Sequence, residues 1–399
     1  MMRHAVDVLD AYLRDGLGVR GSVALHEPWF RGNEWRYVRE CIDTGWVSSA
    51  GAFVDRFEKA VAVATGAPHA IATVNGTAAL HLALHALDVG RGDAVICPAL
   101  TFVATANAIA HCGASPVFVD SDPATLGIDP EKLEAFLARD CARAGGKLIH
   151  RGSGLRVAAL LPVHIFGHPV DMDGIGDIAH AFGLPIVEDA TEALGSRYRE
   201  KPCGALGTIG VLSFNGNKIA TTGGGGAVLC TESALAARVR HLATTARRDD
   251  GFQHVHDEVG FNYRMPNLNA ALGCAQLELL DEFVTLKRRL ARGYIEAFAK
   301  LSDVSVFAEQ PWARSNYWLS AIALPDRAAR DAFLAETNAR GIATRPCWRL
   351  LCDLSMYRDA PRADALAGAR DIEARLVNLP SSPQLLAQQP IATAAGARA

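Results

Sequence analysis

The chain has 399 residues, more than one compact core usually holds, so two domains are the expectation. Half of the residues are hydrophobic, 21% are charged and the formal net charge is −3, with no basic stripe or polybasic tract, which argues against nucleic acid and anionic membrane as partners. Nine cysteines without a C-x-x-C pair and thirteen histidines without a ligand spacing exclude a disulfide framework, and no metal is expected.

In chain order, residues 1–20 read as an amphipathic helical lead with none of the marks of a signal peptide. No apolar run reaches membrane-spanning length, so a cytoplasmic protein is expected. Gly32-Asn33-Glu34 starts a helix carrying Tyr37, Val38, Cys41 and Ile42 on one face, followed by a hydroxyl-rich loop over 43–51 and a helix over 54–65. Residues 71–74 read as a buried strand, Asn75-Gly76-Thr77 as a tight turn and 78–87 as a helix. A strand passing through glycine and threonine into a helix presents free N–H groups at a positive helix end, which is a phosphate cradle. A plain cap by Asn75 or Thr77 is the other reading.

Strands and helices then alternate: 94–97, a helix over 102–110, 116–119, 157–161, a helix over 172–182, and 185–187 leading to Asp189. Residues 140–155, rich in Gly and Arg, read as an exposed excursion. Such alternation predicts a mainly parallel α/β sheet with ligands at the carboxyl ends of its strands. Asn75, Phe102, Asp189 and Ser213 all fall near such ends. Phe102 is placed to stack on a flat cofactor or to fill a core. After the glycines come a strand over 227–230, a helix over 233–244 and a charged loop over 246–258. A long helix over 268–298 bridges to a smaller C-terminal unit, with a strand over 316–324, a helix over 328–340 and a strand over 341–346. The tail beyond Leu386 is expected to fray.

The chemistry centres on S-F-N-G-N-K-I-A-T-T-G-G-G-G, residues 213–226, where Lys218 sits before four glycines. About thirty residues earlier an apolar strand ends in Glu188 and Asp189. A lysine amine and a strand-end aspartate are what pyridoxal phosphate requires, the first for a Schiff base and the second to hold the pyridine nitrogen protonated. Alone, such a lysine reads better as a surface residue beside a Gly-rich turn; with the aspartate the functional reading wins.

Five segments, N-G-T-A-A-L, P-A-L-T-F-V-A-T-A-N-A-I, V-E-D-A-T-E-A-L-G, S-F-N-G-N-K and G-F-N-Y-R-M-P-N-L-N-A-A-L-G, together resemble the DegT/StrS-type sugar aminotransferases from about residue 25 to 382. The resemblance implies pyridoxal phosphate fold type I: a large, mainly parallel seven-stranded-type sheet domain (31–275) after an N-terminal lead (1–30), with a small α/β domain (276–399). It implies that Lys218 holds the cofactor and shuttles protons, that Asp189 pairs with the pyridine nitrogen, and that Gly76, Thr77 and Ser213 hold the phosphate. Phe102 would lie on the ring face. Asn262 would reach the phosphate of the partner subunit, implying a homodimer with shared sites. Glu192 falls near the phenolic oxygen, where relatives carry glutamine or histidine and where a carboxylate repels a phenolate unless one is protonated. The opening segment, V-H-D-E-V-G-F-N-Y-R-M-P-N and T-R-P-C-W look most like the LegC-type branch. That branch implies glutamate as amino donor and a nucleotide-linked 4-keto-6-deoxy-N-acetyl hexosamine as acceptor. His26, Trp46, His164, Arg264 and Arg345 are candidates to line the sugar-nucleotide pocket, each equally readable as a packing or surface residue. Rival readings are a dehydratase, which would carry histidine in place of Lys218, a non-catalytic sensor, and a dehydrogenase, which would need a G-x-G-x-x-G absent after the first strand.

Overall fold

The computed structural model describes residues 2–250 and 252–387. Its centre is built from seven strands: β1 (His69–Thr73), β2 (Asp93–Pro98), β3 (Ser115–Val119), β4 (Arg156–Leu160), β5 (Val187–Asp189), β6 (Ile209–Ser213) and β7 (Gly226–Cys230). Their lateral order is β1-β7-β6-β5-β4-β2-β3, with β5 joined to β4 through the Leu160–Ile186 and Val163–Asp189 bridges. From β6 through β3 every pairing is parallel, while β7 runs antiparallel to both neighbours. The strands are short, apolar and buried on both faces, as parallel strands covered by helices must be. The expected mainly parallel α/β sheet is the observed one.

A second, antiparallel sheet pairs Ser320–Ala323 with both Ser305–Val306 and Leu376–Leu379, which in turn pairs with Arg345–Pro346. The N-terminal helix Met2–Ala11 joins this end of the molecule, where Val6, Leu9 and Leu13 share a core with Leu290, Tyr294, Phe298 and Phe333. Among the described residues no helix is long and apolar enough to cross a membrane. All nine cysteines are free thiols, as their spacing predicts.

Four expectations change. Residues 140–155 do not form a loose excursion: Cys141–Ala144 and Lys147–His150 make a hairpin that extends the sheet edge beside β4. The charged segment 246–258 likewise pairs with itself, Arg247–Asp250 against Gln253–His256. Polar alternation around a tight turn concealed both. The single helix over 268–298 is two, Asn267–Leu277 and Leu280–Phe298, divided at Glu278 and Leu279. In the Glu34–Thr44 helix, Tyr37 and Cys41 face inward but Ile42 is exposed. Most of the tail beyond Leu386 lies outside the described residues.

One side chain ties the two sheets together. Asn316, fully buried, donates from Nδ2 to the Glu192 and Leu194 carbonyls, both at 2.9 Å, and accepts the Trp318 N–H at 2.7 Å. Gly167 permits this approach, since a Cβ there would stand 1.8 Å from Asn316 Oδ1 and its φ is +90°. Replacing Asn316 by alanine orphans two carbonyls and one N–H in the interior, and a loss of roughly 3 kcal/mol is expected in urea unfolding.

Candidate active site

The carboxyl ends of β1, β5 and β6 open onto one cavity of about 300 Å³. Its floor begins where β1 turns into the Gly76–Ala86 helix. Asn75 is the N-cap, extended at φ −168° and ψ 169°, with its side chain accepting from Ala78 N–H at 2.8 Å. The cap reading is realised, since Asn75 satisfies the third N–H, and the geometry that the cradle reading needs is present: Gly76 and Thr77 stand at the open, positive end of the helix lining the cavity. Gly76 must lack a side chain, because a Cβ would lie 2.9 Å from Ser213 Cβ. At the end of the four-glycine run, a Cβ on Gly226 would lie 2.5 Å from the Asn75 carbonyl oxygen, so β7 can pass beneath the turn only as glycine.

Strand alternation separates the two acids that end β5. Glu188 points behind the cavity. Its oxygens accept the N–H groups of Gly204, Leu206 and Gly207, and His164 Nε2 stands 2.9 Å away. Asp189 points into the cavity. It accepts from Thr105 Oγ1 at 3.0 Å and Thr191 N–H at 3.2 Å. Burial raises its pKa, opposed by the Thr191 and Thr105 hydrogen bonds and the charge of Lys218.

Lys218 Nζ is held from two sides. Glu192 Oε1 lies 3.3 Å away, and the Trp318 ring centroid 3.9 Å away, a cation–π contact. Trp318 is itself anchored by its indole N–H to the Asn217 carbonyl at 2.7 Å. Its own carbonyl accepts from buried Lys287 at 3.0 Å. The other oxygen of Glu192 accepts Phe166 N–H at 2.8 Å. Burial pushes Glu192 up to about 7, against the pull of Lys218 and the Phe166 N–H.

Gly76, Thr77, Phe102, Asp189, Glu192, Ser213 and Lys218, predicted from scattered segments, thus line one cavity. Phe102 is half-exposed at its rim, 6.2 Å from the Trp348 ring. Asn262 is exposed, bridged to Thr244, and outside this chain's cavity. The five sugar-pocket candidates are not brought to Lys218 as a group. His164 is fully buried: Val170 N–H points at Nδ1, leaving the ring proton on Nε2 facing Glu188, so it braces the fold and cannot touch a ligand. His164, Glu188 and Cys203 come within metal-ligating distance of one another. Glu188 is already engaged by three backbone N–H groups and His164 Nδ1 by that of Val170, while the Cys203 thiol is hydrogen-bonded to the His164 ring. Arg264 is consumed by an ion pair with Glu58 and is not free for a diphosphate. Arg345 bonds Asn338 and Thr344 on the smaller sheet, and Trp46 is largely exposed. His26 alone stays near the amine. Its ring nitrogens are buried without hydrogen-bond partners among the described residues, and burial, then Lys287 and Lys218, hold its pKa well below the ordinary value.

Sequence reasoning overlooked Trp318, Trp348, Thr105 and Asn217, all in the cavity wall. Trp348 was visible within T-R-P-C-W, but nothing local marks Trp318, which arrives from a segment a hundred residues beyond Lys218.

The donor set fits pyridoxal phosphate: a lysine amine, a buried aspartate still short of a counter-charge, and a helix end whose packing would be filled by a single Cβ. On a seven-stranded sheet with one antiparallel strand, these features define a pyridoxal phosphate-dependent enzyme of fold type I. The profile of the DegT/DnrJ/EryC1/StrS aminotransferase family matches residues 30–393. The chain is 41% identical to GDP-perosamine synthase of Caulobacter vibrioides over 81% of this chain and 84% of that protein. To GDP-perosamine synthase of Escherichia coli O157:H7 it is 35% identical, covering 92% and 96%. The crystal structure of a DegT DnrJ EryC1 StrS aminotransferase from Brucella abortus superposes with a TM-score of 0.80 at 30% identity, covering 88% and 90% of the two chains. The chain belongs to the DegT/DnrJ/EryC1/StrS family and is a pyridoxal phosphate-dependent aminotransferase.

The raised Glu192 carboxyl gives a pH test on cofactor-free protein. Its folded pKa lies above its unfolded one, so its contribution is full below the ordinary glutamate range and lost as pH rises through about 7. Between pH 5 and 8, Glu192→Gln is expected to gain stability relative to wild type by on the order of 2 kcal/mol in urea unfolding.

Proposed function

We propose that this aminotransferase moves an amino group from L-glutamate to the carbon-four keto group of a nucleotide-linked 4-keto-6-deoxy hexose. The observation that carries the reading is Lys218 Nζ, a single amine held between Glu192 and the Trp318 face in the same cavity as Asp189. Bound pyridoxal phosphate supplies the electron sink and carries the amine between the two substrates. Asp189, fixed by Thr105 and Thr191, holds the positive ring nitrogen. Gly76 and Thr77 at the helix end, with Ser213, hold the phosphate, and Phe102 walls the ring face. Lys218 Nζ takes the proton from the donor's α carbon in the first half-reaction and returns one to carbon four of the sugar in the second. Lysine at this position, in place of histidine, favours transfer over dehydration.

For the sugar, the LegC-like segments favour the N-acetyl hexosamine and a role in legionaminic acid or another surface polysaccharide. The relatives named GDP-perosamine synthase favour a GDP-linked acceptor, a second reading. The large unit would span 31–275 and the small one 276–399, bridged by the Leu280–Phe298 helix. A homodimer with shared sites is supported by the Arg247–His256 hairpin beside Asn262. An isolated two-stranded ribbon is marginal in water and Phe252 at its turn is fully exposed, so both call for a covering surface.

Lys218→Ala is expected to abolish 2-oxoglutarate release from L-glutamate, and normal release would sink the assignment. Thr77→Val is expected to fold and to weaken cofactor binding by about tenfold or more in an absorbance titration, the loss of one charge-assisted anchor. Mixing Lys218→Ala with Asn262→Asp subunits restores activity if sites are shared, and supplying UDP- and GDP-linked 4-keto sugars decides the nucleotide.

A further inference from the structure

Outside the catalytic cavity, two arginines face each other across a strand pair. Arg197–Tyr198 runs antiparallel to Ala313–Arg314, in a register that sets Arg197 directly opposite Arg314. Like charges so placed destabilise a strand pair. Among the described residues, neither guanidinium has a carboxylate within ion-pair distance. Arg197 Nη1 donates to the Glu200 carbonyl at 2.8 Å. Arg314 is half-buried. Burial, then the charges of Arg288 and Arg197, lower its pKa, with partial relief from Glu309 and Asp281. Glu309 is already committed to Arg288 at 2.6 Å.

Arg314 stands where two clefts meet, one of about 570 Å³ that includes Arg56 and Lys59, the other of about 620 Å³ that includes Arg289 and Arg292. Across the two, basic side chains outnumber acidic ones seven to three, on a chain whose net charge is −3. One of the three acids, Glu278, is already paired with Arg56.

The same two strands run directly into the catalytic cavity. Ser196 Oγ donates to the Gly167 carbonyl at 2.7 Å and accepts Asn316 N–H at 2.9 Å. Asn316 in turn holds the Glu192 carbonyl and the Trp318 N–H. Arg197 therefore follows Glu192, and Arg314 precedes Trp318, within one hydrogen-bonded unit whose two side chains both touch Lys218.

We propose that Arg197 and Arg314 form a binding site for a small phosphate-bearing anion of the diphosphate class, whose occupancy stiffens the segments holding Glu192 and Trp318 against Lys218. Paired guanidinium forks bind phosphoryl oxygens bidentately, and an anion between them removes the cross-strand repulsion. The site is separate from the catalytic cavity; only the coupling rests on the aminotransferase reading.

The test titrates cofactor-loaded enzyme with inorganic pyrophosphate at constant ionic strength in a calorimeter. Arg197→Gln and Arg314→Gln are each expected to weaken Kd by about tenfold or more while loading cofactor as wild type does. A tighter Kd for GDP assigns the site to a nucleotide, and an equal one to free diphosphate. Pyrophosphate is further expected to change the rate of the L-glutamate half-reaction, followed by the cofactor's visible band, by about twofold or more in wild type and in neither variant. Equal Kd values in wild type and both variants overturn the site. Binding without a rate change overturns the coupling alone, and binding without any half-reaction overturns the catalytic reading while leaving the site standing.

Discussion

The controlling constraint is the burial of three charged groups in one small cavity. Lys218, Asp189 and Glu192 converge within a space of about 300 Å³, and two of them are carboxyls that burial drives towards the neutral form. An ammonium between two acids balances only one of them. The architecture supplies the remainder through fixed donors: Thr105 and Thr191 for Asp189, the Phe166 N–H for Glu192, and the Trp318 face for the lysine. The remaining imbalance is a demand for positive charge beside Asp189, which under the proposed function the ring nitrogen of the cofactor would answer.

Holding those donors still requires the two sheets to act together. Asn316 and Ser196 lock the Phe166–Gly167 turn, the loop after β5 and the approach to Trp318 into one unit. Lys287, buried on the Leu280–Phe298 helix and holding the Trp318 and Ser381 carbonyls, fastens that unit from the other side. A lysine there keeps its place by satisfying main-chain acceptors, in contrast to Lys218, which meets a carboxyl and an indole face. Burial lowers its pKa well below the usual value.

How much of this was legible follows from the range of each signal. Strands β1 to β5, strand β7 and the turn at Asn75-Gly76-Thr77 were readable because apolar runs and glycine act locally. That Lys218, Asp189, Gly76, Thr77 and Ser213 belong to one cavity was readable because each lies in a short segment with its own pattern. Trp318 was not, since its role depends on chain crossing from the smaller sheet. Arg264 and His164 looked like ligand residues because sequence shows a charge or an imidazole but not its partner. Glu58 and Glu188 had claimed them. The hairpins at 141–150 and 247–256 escaped because their residues are polar, and pairing at a sheet edge or on the surface leaves little apolar alternation.

The opposite facing of Glu188 and Asp189 has a consequence for how the chain finds its register. The two acids are adjacent, so a one-residue slip of β5 could carry Glu188 to the cavity face in place of Asp189. Glu188 would then enter the cavity with a longer reach, and the three amides it now satisfies would face the apolar Val187. Both sides of the strand would be left with badly met polar groups in the interior. Most buried strands are kept in register by apolar residues that a slip would expose. In this one, two unlike sets of hydrogen-bond donors add to that, one for each acid, and together they fix which carboxylate faces the cavity.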